Sequence, residues 1–201
     1  LLSNKVEVHI AKKPKVTLKN GLLLVYITRQ NDLNTLLRIV KENIKKEEFS
    51  IELDKKLDNL TYMMDASRNA VAKISVVKDL VLKLALFGYD EIQLYTEDTI
   101  EIKDEPYFGY LRGAYSKEEI KELDLYCASL GIELVPCIQT LAHFNQITRY
   151  HEYSPLFDVN DILLSDNEDT YTFIEKIIKT VSQNFKSKKI NIGMDEAYMI
   201  G

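Results

Sequence analysis

The chain has 201 residues, 46% of them hydrophobic and 28% charged, which suits one sizeable core or a small domain joined to part of a larger one. Its net charge of −5 comes from 31 acidic and 26 basic residues spread along the sequence, with no basic stripe to track a phosphate backbone, so nucleic acid is not an expected partner. No apolar run reaches the ~20 residues that cross a bilayer, the longest being Gly21–Ile27 and Leu80–Phe87, so a membrane is not an expected partner either.

A first α/β unit is expected over residues 1–58. Lys5–Ile10 reads as a strand, and Val16–Ile27 as a hairpin about Asn20-Gly21, a pair that supplies the positive φ values of a tight turn. Leu33, Leu36, Leu37, Val40 and Ile44 then recur at helical spacing behind a capping Asn31 or Asp32. Phe49–Leu53 reads as a further strand. The charged stretch Asp54–Asn59 separates this unit from a different rhythm.

From residue 59 onward, strands and helices alternate. The order is strand Leu60–Asp65, helix Ser75–Phe87, strand Glu91–Tyr95, helix Lys117–Leu130, strand Ile132–Ile138, helix Thr170–Phe185 and strand Lys189–Met194. Ser116 and Glu119 form a capping box, and Gly131 stands where a helix end needs a left-handed residue. Ile120, Leu123, Cys127 and Leu130 make the buried stripe between them. Ile174, Ile177, Ile178, Val181 and Phe185 do the same in the last helix. Such alternation implies a parallel sheet with right-handed crossovers, which fits an open doubly wound sheet or a barrel. The two cysteines, Cys127 and Cys137, are too few for a disulfide scaffold and read as reduced, buried thiols.

The segments after the second and third of these strands, Thr96–Tyr115 and Gln139–Glu168, are long and rich in aromatic and polar residues, while those leading into strands are short. In either fold the carboxyl ends of the strands hold the site. No glycine-rich phosphate loop follows a strand, which weakens a nucleotide-binding reading. The last strand instead delivers Asp195-Glu196. Adjacent acidic residues are common in solvated turns, but Ile190, Ile192 and Met194 before them are apolar and Gly193 permits close approach. Neighbouring carboxylates raise each other's proton affinity, and an acid held protonated near neutral pH can donate to a leaving oxygen. Three scattered histidines and no cysteine pair at ligand spacing give no metal site, and no cofactor is expected.

Five blocks carry a resemblance. Met63-Met64-Asp65-Ala66-Ser67-Arg68-Asn69-Ala70-Val71, Leu94-Tyr95-Thr96-Glu97-Asp98-Thr99, Pro106-Tyr107-Phe108-Gly109-Tyr110-Leu111-Arg112-Gly113, Val135-Pro136-Cys137-Ile138-Gln139-Thr140-Leu141-Ala142-His143 and Ile192-Gly193-Met194-Asp195-Glu196-Ala197 look, in order, like the β-N-acetylhexosaminidases of glycoside hydrolase family 20. The bacterial exo-acting branch is the most similar. The resemblance covers Leu60 to Gly201. It implies an α/β fold: a small α/β domain, residues 1–58, ahead of the first four strands of a (β/α)8 TIM barrel, residues 59–201.

The resemblance also implies removal of terminal β-linked N-acetylglucosamine or N-acetylgalactosamine by substrate-assisted retaining catalysis. Asp195 would orient and polarise the 2-acetamido group, and Glu196 would serve as the acid and base. His143 would tune Glu196 with help from a carboxylate after the second strand, for which Asp98 is the first choice and Glu97 the alternative. Arg68 would bind hydroxyls of the terminal sugar, which places Arg68 and Asp98 on the substrate side. Tyr107, Phe108 and Tyr110 could stack on a sugar or pack their loop onto the barrel.

A family 20 barrel has eight strands and this chain supplies four. The expected partners are therefore an amino-sugar glycan and either the remaining half of the barrel or an oligomer mate, and the chain alone is expected to be a poor catalyst. A cytoplasmic location is the expectation, with secretion left open because the chain starts at Leu1. The competing readings are a conventional two-carboxylate β-glycosidase and a non-catalytic sugar-binding module on the same scaffold.

Overall fold

The computed structural model describes residues 5–198. Strand β1 (Lys5–Ile10), β2 (Lys15–Lys19), β3 (Leu22–Ile27) and β4 (Phe49–Glu52) form a four-stranded sheet in the order β1-β3-β2-β4, with helix α1 (Asp32–Glu42) between β3 and β4. β1 runs parallel to β3, while β2 is antiparallel to both β3 and β4. The β2–β3 turn holds Asn20 at φ 50° and Gly21 at φ 74°, as the Asn-Gly pair requires.

Burial alternates along β2 and β3, so Val16, Leu18, Leu23, Val25 and Ile27 share one core with Leu36 and Ile39 of α1. The buried face of α1 differs from the expected stripe. Leu37 and Ile44 are 57% and 51% exposed, and Asp32 and Thr35 are buried in their place. Asp32 draws that face inward because its carboxylate is committed to local donors: Oδ2 accepts from Thr28 N at 2.7 Å, Thr28 Oγ1 at 2.7 Å and Arg29 N at 3.1 Å. Its Oδ1 pairs with Lys55. Asn31 is the N-cap by position and makes no side-chain cap bond.

Strand β5 (Thr61–Asp65), helix α2 (Ile74–Phe87), β6 (Glu91–Tyr95), helix α3 (Lys117–Ser129), β7 (Glu133–Cys137) and helix α4 (Glu168–Asn184) follow. The strands form a three-stranded sheet in the order β5-β6-β7. Asp90 N donates to Leu60 O at one end of the first pair and Ala66 N to Tyr95 O at the other, so β5 and β6 are parallel. Glu133 N to Asp90 O and Thr96 N to Cys137 O make β6 and β7 parallel as well. The capping box at α3 forms in both directions: Ser116 N donates to Glu119 Oε2 at 2.9 Å, and Glu119 N to Ser116 Oγ at 3.2 Å.

Three differences from the sequence reading bear on the site. The expected strand Lys189–Met194 is reduced to a parallel bridge between Asn191 and Cys137. Asn191 N donates to Pro136 O, Ile138 N to Asn191 O and Thr140 N to Gly193 O, so the segment follows β7 without extending a full ladder. A 3-10 helix, His151–Leu156, sits inside the long loop after β7, where Pro155 and a lack of periodicity hid it. On α4 the buried positions are Thr170, Phe173, Ile177, Val181 and Asn184, and Ile178 is exposed.

The described residues fall into two compact units, 5–62 with 78–91 and 126–133, and 63–77 with 92–125 and 134–198. In the first, Asp90 accepts from Leu60 N at 2.9 Å and from Asn31 Nδ2, and pairs with Arg29 Nη2 at 2.7 Å. In the second, Ile92, Leu94, Ile100, Ile120, Leu123, Leu134, Ile138 and Ile147 are fully buried. No described helix is long and apolar enough to cross a membrane.

Candidate active site

The parallel strands end in Asp65, Tyr95 and Cys137, and each is followed within a few positions by polar side chains. All the groups concerned lie in the second unit. After β5, the chain turns on Asp65, whose Oδ1 accepts from Ser67 N at 2.9 Å, Ser67 Oγ at 2.9 Å and Arg68 N at 3.2 Å. The turn folds Arg68 back, so that Nη1 donates to Asp65 Oδ2 at 2.9 Å and the guanidinium lies 4.9 Å from the centre of the Tyr95 ring. Burial alone would raise the Asp65 carboxyl, but the Arg68 guanidinium and the Ser67 donors outweigh it and hold Asp65 at about 2.

After β6, the Tyr95 hydroxyl accepts from Arg68 Nη2 at 3.3 Å and donates to Glu97 Oε1 at 3.2 Å. Burial, reinforced by Glu97, pushes Tyr95 up to about 12, so the phenol keeps its proton and can act as that donor. Burial also raises Glu97 above the ordinary carboxylate value, against the pull of Arg68, Tyr95 and His143.

After β7, Gln139 is buried and its Nε2 donates both to Tyr95 OH at 3.0 Å and to Asp195 Oδ1 at 3.2 Å. Four residues on, the backbone at His143 takes the left-handed conformation, φ 64°, a strained choice for a histidine. Its ring then has Nδ1 3.9 Å from Glu97 Oε1 and Nε2 3.4 Å from both Asp195 Oδ2 and Glu196 Oε2. Nε2 has no aligned hydrogen-bond partner among the described residues.

The Asp195-Glu196 pair is delivered by Gly193. A Cβ there would stand 2.1 Å from Ile138 O and 2.8 Å from Gln139 Cδ, so only glycine lets the segment lie this close to β7. Thr140 Oγ1 donates to Ile192 O at 2.8 Å and fixes the same approach. Both carboxylates of the pair are 59% exposed. Burial would raise Asp195, yet the Gln139 amide, its own backbone N–H and His143 prevail and hold it below its ordinary value.

Of the residues read from the sequence, Asp195, Glu196, His143 and Arg68 thus meet in one cluster. Asp98 does not stand beside His143. It is 3% exposed and faces Arg112, whose Nη1 lies 3.0 Å from Asp98 Oδ1 in ion-pair contact without hydrogen-bond alignment. The carboxylate beside His143 is Glu97, because successive residues leaving β6 point to opposite sides. Phe108 packs edge-on to Phe173 at 5.9 Å, so it anchors its loop, while Tyr107 stacks on Tyr150 at 5.0 Å and Tyr110 meets both of these rings edge-on.

Tyr95 and Gln139 were not singled out by sequence reasoning. The available signal was a polar side chain at the end of β6 and another two positions past the end of β7. A cleft of about 700 Å³ lined by Glu101, Tyr110, Leu111, Lys117 and Gln183 contains none of the cluster. Among the described residues no three His, Cys, Asp or Glu side chains gather as a metal site. What the cluster can do is hold one carboxylate ionised next to a second, with an imidazole against both and a guanidinium linked to the first through Tyr95 and Gln139.

Residues 61–199 match the glycosyl hydrolase family 20 catalytic domain. Residue 199 and the two after it lie outside the described residues. The chain is similar to hexosaminidase D of Bos taurus, 26% identical over 144 residues that make up 67% of this chain and 40% of that protein. It is also similar to human hexosaminidase D, 25% identical over 144 residues, 28% of that protein. The chain therefore spans well under half the length of these curated relatives. Among solved structures, it resembles an exo-β-N-acetylglucosaminidase from Vibrio harveyi, with TM-score 0.80 and 14% identity over 95% of this chain and 37% of that one. A β-N-acetylhexosaminidase from Streptomyces coelicolor gives TM-score 0.80 and 19% identity, over 96% of this chain and 48% of that one. At such identities the likeness speaks for the fold.

Proposed function

The chain belongs to glycosyl hydrolase family 20, and from that premise we propose that it is the general-acid half of a retaining exo-β-N-acetylhexosaminidase: a small α/β domain, residues 1–58, followed by the first strands of a (β/α)8 barrel. The carrying observation is the meeting of His143 Nε2 with Asp195 Oδ2 and Glu196 Oε2 at 3.4 Å each, beyond the carboxyl ends of parallel strands.

Glu196, open to solvent, protonates the glycosidic oxygen as its bond to the anomeric carbon breaks. The substrate's 2-acetamido oxygen attacks that carbon and forms the oxazolinium ring. Asp195, held ionised, accepts the acetamido N–H and stabilises the positive charge that develops there. Glu196, now a carboxylate, takes a proton from water as it adds to the anomeric carbon and opens the ring. Arg68 presents its fork of donors to the hydroxyls of the terminal sugar, steadied by Asp65.

By itself this chain is a poor catalyst, since it spans 40% or less of the curated relatives it matches and the rest of the sugar pocket falls to further residues. The proposal is tested on the natural-length protein by following the first-formed sugar by proton NMR. The β-anomer, appearing before mutarotation, is the expected product, and an initial α-anomer would contradict retention.

A further inference from the structure

The cluster contains a buried amide that takes no step in the proposed chemistry. Gln139 is 1% exposed, and both hydrogens of its amide are committed, one to Tyr95 OH at 3.0 Å and one to Asp195 Oδ1 at 3.2 Å. The direction of each bond follows from its partners. An ionised Asp195 can only accept, and the Tyr95 hydroxyl spends its single proton on Glu97 Oε1 at 3.2 Å. Tyr95 therefore receives from Arg68 Nη2 and Gln139 Nε2, and the amide must turn its nitrogen toward Asp195. Its Oε1 is left buried without a partner. That orientation is favoured only if the bonds from Nε2 outweigh an unsatisfied oxygen.

We propose that Gln139 is a positioning residue that keeps Asp195 ionised and aimed, and that links it through Tyr95 to the sugar-binding Arg68. A neutral donor suits this place. A cation would bind the carboxylate more strongly but would also draw the proton from Glu196, while an acceptor would raise Asp195 toward protonation. The contact is set from both sides: a Cβ on residue 193 would fall 2.8 Å from both Cδ and Oε1 of Gln139, so Gly193 makes room for the amide as well as for the bridge to β7. The chain Arg68–Tyr95–Gln139–Asp195 runs across the ends of all three strands of the sheet and reaches the segment that carries the catalytic pair. This inference rests on the substrate-assisted reading above, in which Asp195 acts as an anion.

The test uses the natural-length protein with Gln139→Met, which keeps the length of the side chain and removes the donor, and Gln139→Glu, which keeps its shape and can donate only while it holds a proton. Hydrolysis of an aryl 2-acetamido-β-glucoside is followed against pH, with thermal unfolding in parallel. In Gln139→Met, kcat falls by about 10- to 100-fold and the acidic limb of its pH profile moves to higher pH, because Asp195 loses the donor that keeps it charged. In Gln139→Glu, the alkaline limb moves to lower pH, because activity follows the proton on residue 139. Wild-type limbs in both folded variants, with kcat reduced evenly or not at all, would overturn the proposal and leave only a packing role. Should the wild-type enzyme itself cleave 2-hydroxyl and 2-acetamido glycosides alike, the fault would lie with the substrate-assisted reading and not with Gln139 alone.

Discussion

Glu97 Oε1 lies 3.9 Å from Nδ1 of His143, while Nε2 of the same ring faces the Asp195-Glu196 pair. The imidazole thus stands between the partly buried Glu97 carboxylate and the two that the proposed chemistry needs, and its orientation depends on both sides. Glu97→Gln in the natural-length enzyme removes that charge, and a kcat lower by about 10- to 100-fold is expected, with thermal stability little changed. The neighbouring Asp98→Ala should do the reverse. It strands Arg112 opposite an empty place, which costs about 3–5 kcal/mol of stability and shifts the denaturation midpoint. Matched kinetic and unfolding measurements on the two variants separate these roles; a kinetic defect confined to Asp98→Ala would reverse the assignment.

Arg68 donates through Nη1 to Asp65 Oδ2 and lies over the Tyr95 ring. Arg68→Lys keeps the charge but loses the fork and the stacking. The expected outcome is a loss of about 10- to 100-fold in kcat/KM on an aryl acetamido-glucoside, most of it in KM. Steady-state kinetics on the purified variant decide this, and an unchanged KM would remove Arg68 from the substrate side.

Asp32 is fully buried, bonded to Thr28 and Arg29 and paired with Lys55, and these donors outweigh its burial to hold its carboxyl below the ordinary value of 3.8. A group whose folded-state value is depressed contributes stability above its unfolded value and loses it as pH falls through the folded one. Asp32→Asn should therefore be less stable than wild type at neutral pH, by about 1–3 kcal/mol. The gap should close as pH drops below 3.8. Urea unfolding at a series of pH values measures it, and a gap independent of pH would contradict the account.

At Gly193 a methyl group would meet Ile138 O at 2.1 Å, on a backbone whose φ of 51° already disfavours other residues. Gly193→Ala should cost on the order of 3 kcal/mol and displace the Asp195-Glu196 segment from His143. Activity should fall further than the loss of folded protein explains, as read by titrating the folded fraction alongside turnover.

The β2–β3 hairpin, the parallel strands and the helices between them were legible because each carries its own period and its own stops: the Asn20-Gly21 turn and the Ser116/Glu119 box both form as their residues require. The face of α1 was not, since Leu37 and Ile44 fit a helical stripe as well as Leu36 does, and only the bonds of Asp32 decide which side turns inward. The segment before Asp195 reads as a strand from its apolar residues, yet it bridges β7 only at Asn191. Within the site, Asp195, Glu196, His143 and Arg68 were recognisable from motif order. The choice between Glu97 and Asp98 was not, because neighbouring acids after a strand look alike until the sheet assigns them to opposite sides. Tyr95 and Gln139 escaped notice because their bonds reach across to residues far off in sequence, 44 positions apart for this pair.

The central claim is that Asp195 and Glu196 serve chemistry in which the sugar's own acetamido group is the nucleophile. The most direct measurement compares two aryl β-glucosides, one with a 2-acetamido group and one with a 2-hydroxyl, using the natural-length enzyme and its Glu196→Gln variant. Cleavage of the acetamido substrate alone, reduced by about 10²- to 10⁴-fold in the variant, is the predicted result. Equal cleavage of both substrates would point to a conventional carboxylate nucleophile, and cleavage of neither to a sugar-binding module; either would contradict the account.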